Sequence, residues 1–178
     1  MSNDLNTSEL QVIFGTGPLG QSVMRALRET GYSHLRMINR SGKQGHIPAD
    51  VEVVGSDAYD ADKVAQVTEG AAVVYQCAQP AYTKWPEQFP PLQQAIIAGT
   101  ARNSAKLVIG DNLYMYGDTD GQPIHEGLPY KPHGPKTRTR AQMAKAALQA
   151  HEQGLLPVAL VRGSDFYGEG VEGAMLGE

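Results

Sequence analysis

Val12-Ile13-Phe14-Gly15-Thr16-Gly17-Pro18-Leu19-Gly20 decides how this chain is read. An apolar run ends at Phe14, a G-x-G-x-x-G follows, and helical spacing begins at once. In that strand–turn–helix context the motif points to a dinucleotide. Gly15 allows the tight turn out of the strand. Gly17, lacking a side chain, lets a pyrophosphate approach the backbone. Gly20 lets the helix lie close on the sheet. Pro18 suits a first helical turn, where its missing N–H costs nothing. The free N–H groups and dipole of that helix start favour a phosphate. Gly15, Thr16, Gly17, Pro18, Leu19 and Gly20 are therefore the candidate pyrophosphate residues.

Outward from the motif, residues 10–14 read as a buried strand. Leu19, Val23, Ala26 and Leu27 recur at helical spacing over 18–30, and Gly31 supplies the stop. A second strand covers 35–39, so the strand–helix–strand unit has the length expected of a βαβ motif. The end of that second strand selects the cofactor. An acidic side chain there would bond the ribose hydroxyls of NAD. Instead Asn39 stands there, followed by Arg40 and Ser41. Arginine suits a 2′-phosphate through a charge-assisted contact, so NADP(H) is preferred, with NAD(H) the alternative.

Further along, a short third strand covers 51–54. Asp57 and Ala58 follow as candidates for the adenine side, and Asp60 is placed to cap a helix carrying Val64, Ala65 and Val67. The apolar run 71–77 reads as a fourth strand buried on both faces. It delivers Cys77, Ala78 and Gln79 to the sheet's carboxyl edge, where ligands of open α/β sheets collect. Residues 81–91, with Trp85 and three prolines, read as a loop, and a helix is expected over 92–104. A fifth strand over 106–109 leads through Gly110-Asp111-Asn112 into a long polar loop at 118–135. A strong helix over 137–153 puts Met143, Ala144, Ala147, Leu148 and His151 on one face, and a sixth strand covers 157–161. The alternation implies a doubly wound, mostly parallel Rossmann sheet of about six strands with helices on both faces, an α/β fold.

Composition narrows the function. A formal net charge of −4 over 178 residues gives no electrostatic support for nucleic-acid binding. A single cysteine, Cys77, excludes an internal disulfide and fits a reducing cytoplasm. No apolar run approaches the roughly 18 residues of a membrane helix, so no membrane role is expected. Residues 1–9 are polar, with none of the features of a signal peptide, and are expected to be a flexible arm. The five histidines show no metal-ligand spacing. No G-x-S-x-G motif supports a hydrolase.

The glycine turn, Gly55-Ser56-Asp57, Cys77-Ala78-Gln79, Tyr116-Gly117 and Arg162-Gly163-Ser164-Asp165-Phe166-Tyr167-Gly168 fall in one order along the chain. Together they resemble the extended short-chain dehydrogenase/reductases, the NAD-dependent epimerase/dehydratase family. The resemblance runs from Val12 to about residue 170. It implies a cofactor-binding domain over 10–170 and the start of a substrate-binding part over 171–178, whose remaining hundred or more residues are missing. It also implies a catalytic Ser or Thr and a Tyr-x-x-x-Lys pair. There the lysine ammonium lowers the tyrosine pKa, and the tyrosine exchanges a proton with a carbonyl or hydroxyl.

This chain departs from that set. Asn112, four residues before Tyr116, stands where the serine would be, and still offers a hydrogen bond. Lys136 and Arg140 stand at the tyrosine and lysine positions. Lysine replaces a phenol as an acid only if its pKa falls well below ~10.4. Arg140 keeps the charge. Tyr114, Tyr130 and His133 are alternative proton donors. The reading is an NADP(H)-linked oxidoreductase or epimerase acting on a carbonyl or secondary alcohol of an unknown small molecule, with atypical catalytic residues. The alternative is a non-catalytic NADP-binding sensor or dimerisation protein. The helices at 92–104 and 137–153 resemble those through which the family dimerises, and a homodimer is expected.

Overall fold

The computed structural model describes residues 6–164, Phe166 and Val171. The expected start of a substrate part at 171–178 and three residues of the 162–168 landmark fall wholly or partly outside these residues, as does most of the arm at 1–9. Residues 6–9 form a turn in which the Asn6 carboxamide oxygen accepts from the Ser8 amide.

Six strands alternate with four α-helices: β1 (Leu10–Phe14), α1 (Pro18–Glu29), β2 (Leu35–Asn39), β3 (Glu52–Gly55), α2 (Ala61–Val67), β4 (Ala71–Gln76), α3 (Trp85–Ala101), β5 (Lys106–Asn112), α4 (Pro135–Glu152) and β6 (Val158–Gly163). All strand pairs are parallel, in the order β3-β2-β1-β4-β5-β6. The strand order reverses between β1 and β4, the point at which a doubly wound sheet opens a crevice at its carboxyl edge.

Two apolar layers hold the helices to the sheet. Ile13, Met24, Leu35 and Met37 join α1 to one face, closed at the side by Ile47 and Val51. Val12, Phe14, Val74, Leu107 and Ile109 meet Val64, Phe89, Leu92, Ile96, Met143 and Ala147 on the other. Helices α2 and α3 approach each other closely at Gly99. A Cβ there would lie 2.5 Å from Val64 Cγ1 and 2.7 Å from the Ala61 carbonyl oxygen. Asp60 caps α2 as expected, its carboxylate accepting from the amides of Asp62 and Lys63.

The structure corrects the expected start of α3. The helix begins at Trp85, not at 92, and carries Pro90 and Pro91 inside it. Pro86 lies in the first turn, where no N–H is needed. The two later prolines forfeit amide bonds to Pro86 and Glu87, both exposed to water. Against that loss, Trp85, Phe89, Leu92 and Ile96 are buried at helical spacing. Tertiary burial overrides local propensity here.

Helix α4 begins two residues before the expected start, because Pro135 fits its first turn and the Thr137 hydroxyl accepts from the Gly134 amide. Strand β5 continues to Asn112, three residues past expectation, because Asp111 and Asn112 pair in register with Arg162 and Gly163 of β6. Leu148 and His151 are exposed rather than packed, and the His151 Nδ1 accepts from the Val158 amide at 3.2 Å. β6 is an edge strand whose Ala159 and Val161 face solvent.

Candidate functional site

A cleft of about 1600 Å³ opens at the carboxyl ends of β1, β2, β4 and β5. It exceeds the ~300–1,000 Å³ of a drug-sized pocket. The turn after β1 forms its floor. Gly15 has φ +105, and its amide donates to the Ile38 carbonyl at 2.9 Å. A Cβ at Gly15 would meet Ala78 N at 2.9 Å, so both the conformation and the closeness of the β4 turn require glycine. A Cβ at Gly20 would collide with the Gly15 carbonyl oxygen. Gly17 is the opposite case. Nothing lies within 4 Å of its missing Cβ, and that open space faces the cleft.

Gly17 is the N-cap of α1. No side chain caps the helix, and its first turn holds no acidic residue. The first-turn amides after Pro18 are therefore available to an anion. The Gln21 side chain braces the turn by donating to the Thr16 carbonyl at 2.9 Å.

At the end of β2 the Asn39 carboxamide is committed to its own loop. Its oxygen accepts from the amides of Ser41 and Gly42, and its nitrogen donates to the Lys43 carbonyl. Arg40, Ser41 and Lys43 line the cleft beside Asp57, Ala58 and Tyr59. Burial raises the Tyr59 phenol pKa, with the Arg40 guanidinium opposing that rise. The Asp57 carboxylate accepts from the Tyr59 amide in a tight turn. Beyond β4, Cys77, Ala78 and Gln79 also line the cleft. Burial pushes the Cys77 thiol up to about 12, which leaves it protonated and unreactive near neutral pH.

Of the cofactor candidates and the three residues at the catalytic positions, only Gly20 and Lys136 do not line the cleft. The Lys136 ammonium sits 3.3 Å from the centroid of the Tyr82 ring. Asn112 is buried, and its side-chain oxygen accepts from the Tyr114 amide at 3.2 Å. Arg140 is buried and donates to Asp111. The other Asp111 oxygen accepts from Arg162 Nε at 3.1 Å. Arg162 also donates to the Tyr116 hydroxyl at 2.8 Å and the Tyr130 hydroxyl at 2.6 Å. This network ties β5, α4, β6 and the 118–134 loop together. Burial raises the Tyr116 phenol against the opposing pull of Arg162, so it stays protonated at neutral pH.

Among the alternative proton donors, Tyr114 lines the cleft, whereas Tyr130 is bound to Arg162 and His133 lies outside the cleft. Sequence reading missed Tyr59, Gln76, Trp85, Phe89 and Asp111, all of which line the cleft. An aspartate closing an apolar strand was the one signal that pointed to Asp111, since such a group needs buried cationic partners.

A profile of the NAD dependent epimerase/dehydratase family matches residues 12–176. The chain belongs to that family. No curated protein matches it significantly. Among solved structures, it superposes on a UDP-N-acetylglucosamine 4-epimerase from Bacillus cereus with a TM-score of 0.77 at 20% identity, covering 90% of this chain and 55% of that one. A UDP-glucose 4-epimerase from Brucella ovis in complex with NAD gives 0.75 at 17% identity, covering 87% and 51%. The NDP-hexosamine 5,6-dehydratase TunA of tunicamycin biosynthesis gives 0.76 at 19% identity, covering 93% and 57%. These likenesses establish the fold. This chain spans about half the length of these structures. Among the described residues no helix is long and apolar enough to cross a membrane, and no His, Cys, Asp and Glu cluster would hold a metal ion.

Proposed function

We propose that this chain is the nucleotide-binding part of an NADP(H)-linked oxidoreductase or epimerase that acts on a carbonyl or secondary alcohol. The observation that carries the cofactor preference is the end of β2. Asn39 turns its carboxamide into its own loop, and Arg40, Ser41 and Lys43 are left along the cleft. No carboxylate takes the place of an NAD-type ribose acceptor there, and a 2′-phosphate complements two cationic side chains. The uncapped start of α1 and the open space at Gly17 fit a pyrophosphate.

When bound, the nicotinamide supplies or accepts the hydride. Asn112 then serves as the hydrogen-bond donor to the reacting oxygen. Its side-chain oxygen is already held by the Tyr114 amide, which orients the NH₂ group, and that group has no acceptor among the described residues. Arg140 holds positive charge under the site, oriented by Asp111. Lys136 is drawn to the Tyr82 ring and is not a proton donor in this arrangement.

A second reading, a non-catalytic NADP sensor or dimerisation protein, is favoured by the same displaced Lys136 and by the Arg140 side chain being tied to Asp111. Titration calorimetry with NADPH and NADH, on this chain and on Arg40→Ala, tests the cofactor assignment. NADPH should bind more tightly, and Arg40→Ala should cost roughly tenfold with NADPH while leaving NADH unchanged. Equal affinity for the two nucleotides in the parent chain would sink the NADP assignment. Turnover in a carbonyl panel, lost in Asn112→Ala, separates the enzyme from the sensor.

A further inference from the structure

The part of the cleft beneath α3 contains polar atoms with no hydrogen-bond partner among the described residues. Gln76, at the end of β4, is 2% exposed, and neither its amide nitrogen nor its amide oxygen has a partner. Trp85 Nε1 is likewise buried and unpartnered, and so is Arg140 Nε. All three side chains line the cleft. They share one face of the sheet. Gln76 pairs in register with Ile109, two residues before Asp111, which holds Arg140. The Arg140 guanidinium lies 4.6 Å from the Phe89 ring centroid and 5.6 Å from that of Trp85, whose rings are themselves 5.2 Å apart. Buried polar groups are nearly always hydrogen-bonded, so unpartnered groups in one wall of a cleft call for a ligand or ordered water.

Two properties choose the ligand. First, the unsatisfied groups are mainly N–H donors: the indole N–H, the guanidinium Nε–H and the Gln76 NH₂, against one acceptor, the Gln76 oxygen. Second, the charge does not close. Asp111 is the sole carboxylate among the described residues paired with the buried Arg140 and with Arg162. Among the described residues, one negative charge stands against two positive charges in this network. A hydroxyl would satisfy a donor but not the second positive charge. An anionic planar acceptor satisfies both.

We propose that Gln76, Trp85 and Arg140 form a carboxylate subsite, so that the substrate of this cleft is a hydroxy or oxo acid. Its carboxylate accepts from the Trp85 indole and Arg140 Nε, with the Gln76 amide beside them. Phe89 and Tyr114 wall the approach. The inference rests on the hydride-transfer reading only in calling the acid a substrate; the subsite itself stands on the unpartnered donors.

Trp85 is the only tryptophan, so its fluorescence reports on this wall alone. The experiment titrates the NADPH-saturated chain, and separately the chain without nucleotide, with lactate, glycerate and glucuronate, each against its neutral amide. At least one acid should perturb Trp85 emission at about tenfold lower concentration than its amide, the worth of a charge-assisted bond. Gln76→Leu should weaken that acid several-fold. Trp85→Phe, which keeps a ring and loses only the indole donor, should do the same by calorimetry. Far-ultraviolet circular dichroism on both variants confirms folding, and either variant alone suffices.

Equal response to acids and amides overturns the proposal. So does an unchanged acid affinity in a folded variant. If the variants weaken NADPH instead, the donors belong to the cofactor and the subsite is refuted. Absence of NADPH binding together with acid discrimination in the nucleotide-free chain would refute the cofactor reading and leave the subsite standing.

Discussion

Replacing Asp111 by asparagine isolates the electrostatics of the buried network from its packing. The two side chains have nearly the same volume, so no cavity forms. Asp111 is 2% exposed and receives bonds from Arg140 and from Arg162 Nε. The substitution leaves both guanidiniums without a counter-charge among the described residues. Breaking a buried pair by removing one partner costs about 3–5 kcal/mol. Most of that cost falls on Arg140, which is 3% exposed, rather than on Arg162, which is 14% exposed and keeps two tyrosine hydroxyls. An expected loss of about 3–4 kcal/mol is a large share of the ~5–15 kcal/mol that holds a domain folded. Urea unfolding followed by circular dichroism reads it as a lower midpoint at unchanged slope. The double variant Asp111→Asn with Arg162→Met should recover part of the loss, with a coupling above about 0.5 kcal/mol, because one stranded charge has gone. A midpoint for Asp111→Asn within about 0.5 kcal/mol of the parent, where ordinary surface changes fall, would refute the view that the two arginines depend on this carboxylate.

Further predictions concern the glycines and the cysteine. Gly17→Ala should leave the urea midpoint unchanged, since its Cβ enters open space, yet weaken NADPH in calorimetry; unchanged affinity would show that no phosphate approaches there. Gly20→Ala should behave oppositely, lowering thermal stability because its Cβ meets the Gly15 carbonyl oxygen. Gly99→Ala should cost about 1–3 kcal/mol through overpacking against Val64 and Ala61, seen as a fall of several degrees in calorimetric Tm. With its thiol pushed up to about 12, Cys77 should resist iodoacetamide at pH 8 in the folded chain and be alkylated in urea. Its reactivity should rise with pH, since the thiolate fraction does, and rapid modification of the native chain at pH 8, measured by mass, would contradict the burial.

Much of the cleft wall built on β1 and β2 was legible in the sequence because its causes are local. The glycine turn is written in consecutive residues. Its strand and helix carry their own periodicity, and Asp60 caps α2 from two and three residues away. Strand–helix alternation implied the parallel sheet through the handedness of crossover connections. Asn39 and Arg40 stand where a βαβ unit must end, so the cofactor question could be posed from spacing.

The other half of the cleft depends on which side chains meet across long stretches of chain, and no local pattern encodes that. Residues 81–91 look like a loop because of their prolines. From Trp85 onward they are part of α3, because Trp85 and Phe89 gain more by burial than the prolines lose in amide bonds. The partner of Arg140 in the fold is Asp111, 29 residues earlier, on β5. Asp111 and Arg162 are 51 residues apart and meet only because β5 and β6 pair in register. The sequence by itself determined a doubly wound fold and the glycine turn at the floor of its cleft, since helix dipoles, turn sterics and apolar periodicity act over a few residues. Only the tertiary structure decided where the charges of Asp111, Arg140 and Arg162 are balanced and where they are not, because Coulomb energies in a buried site depend on distance in space, not on separation along the chain.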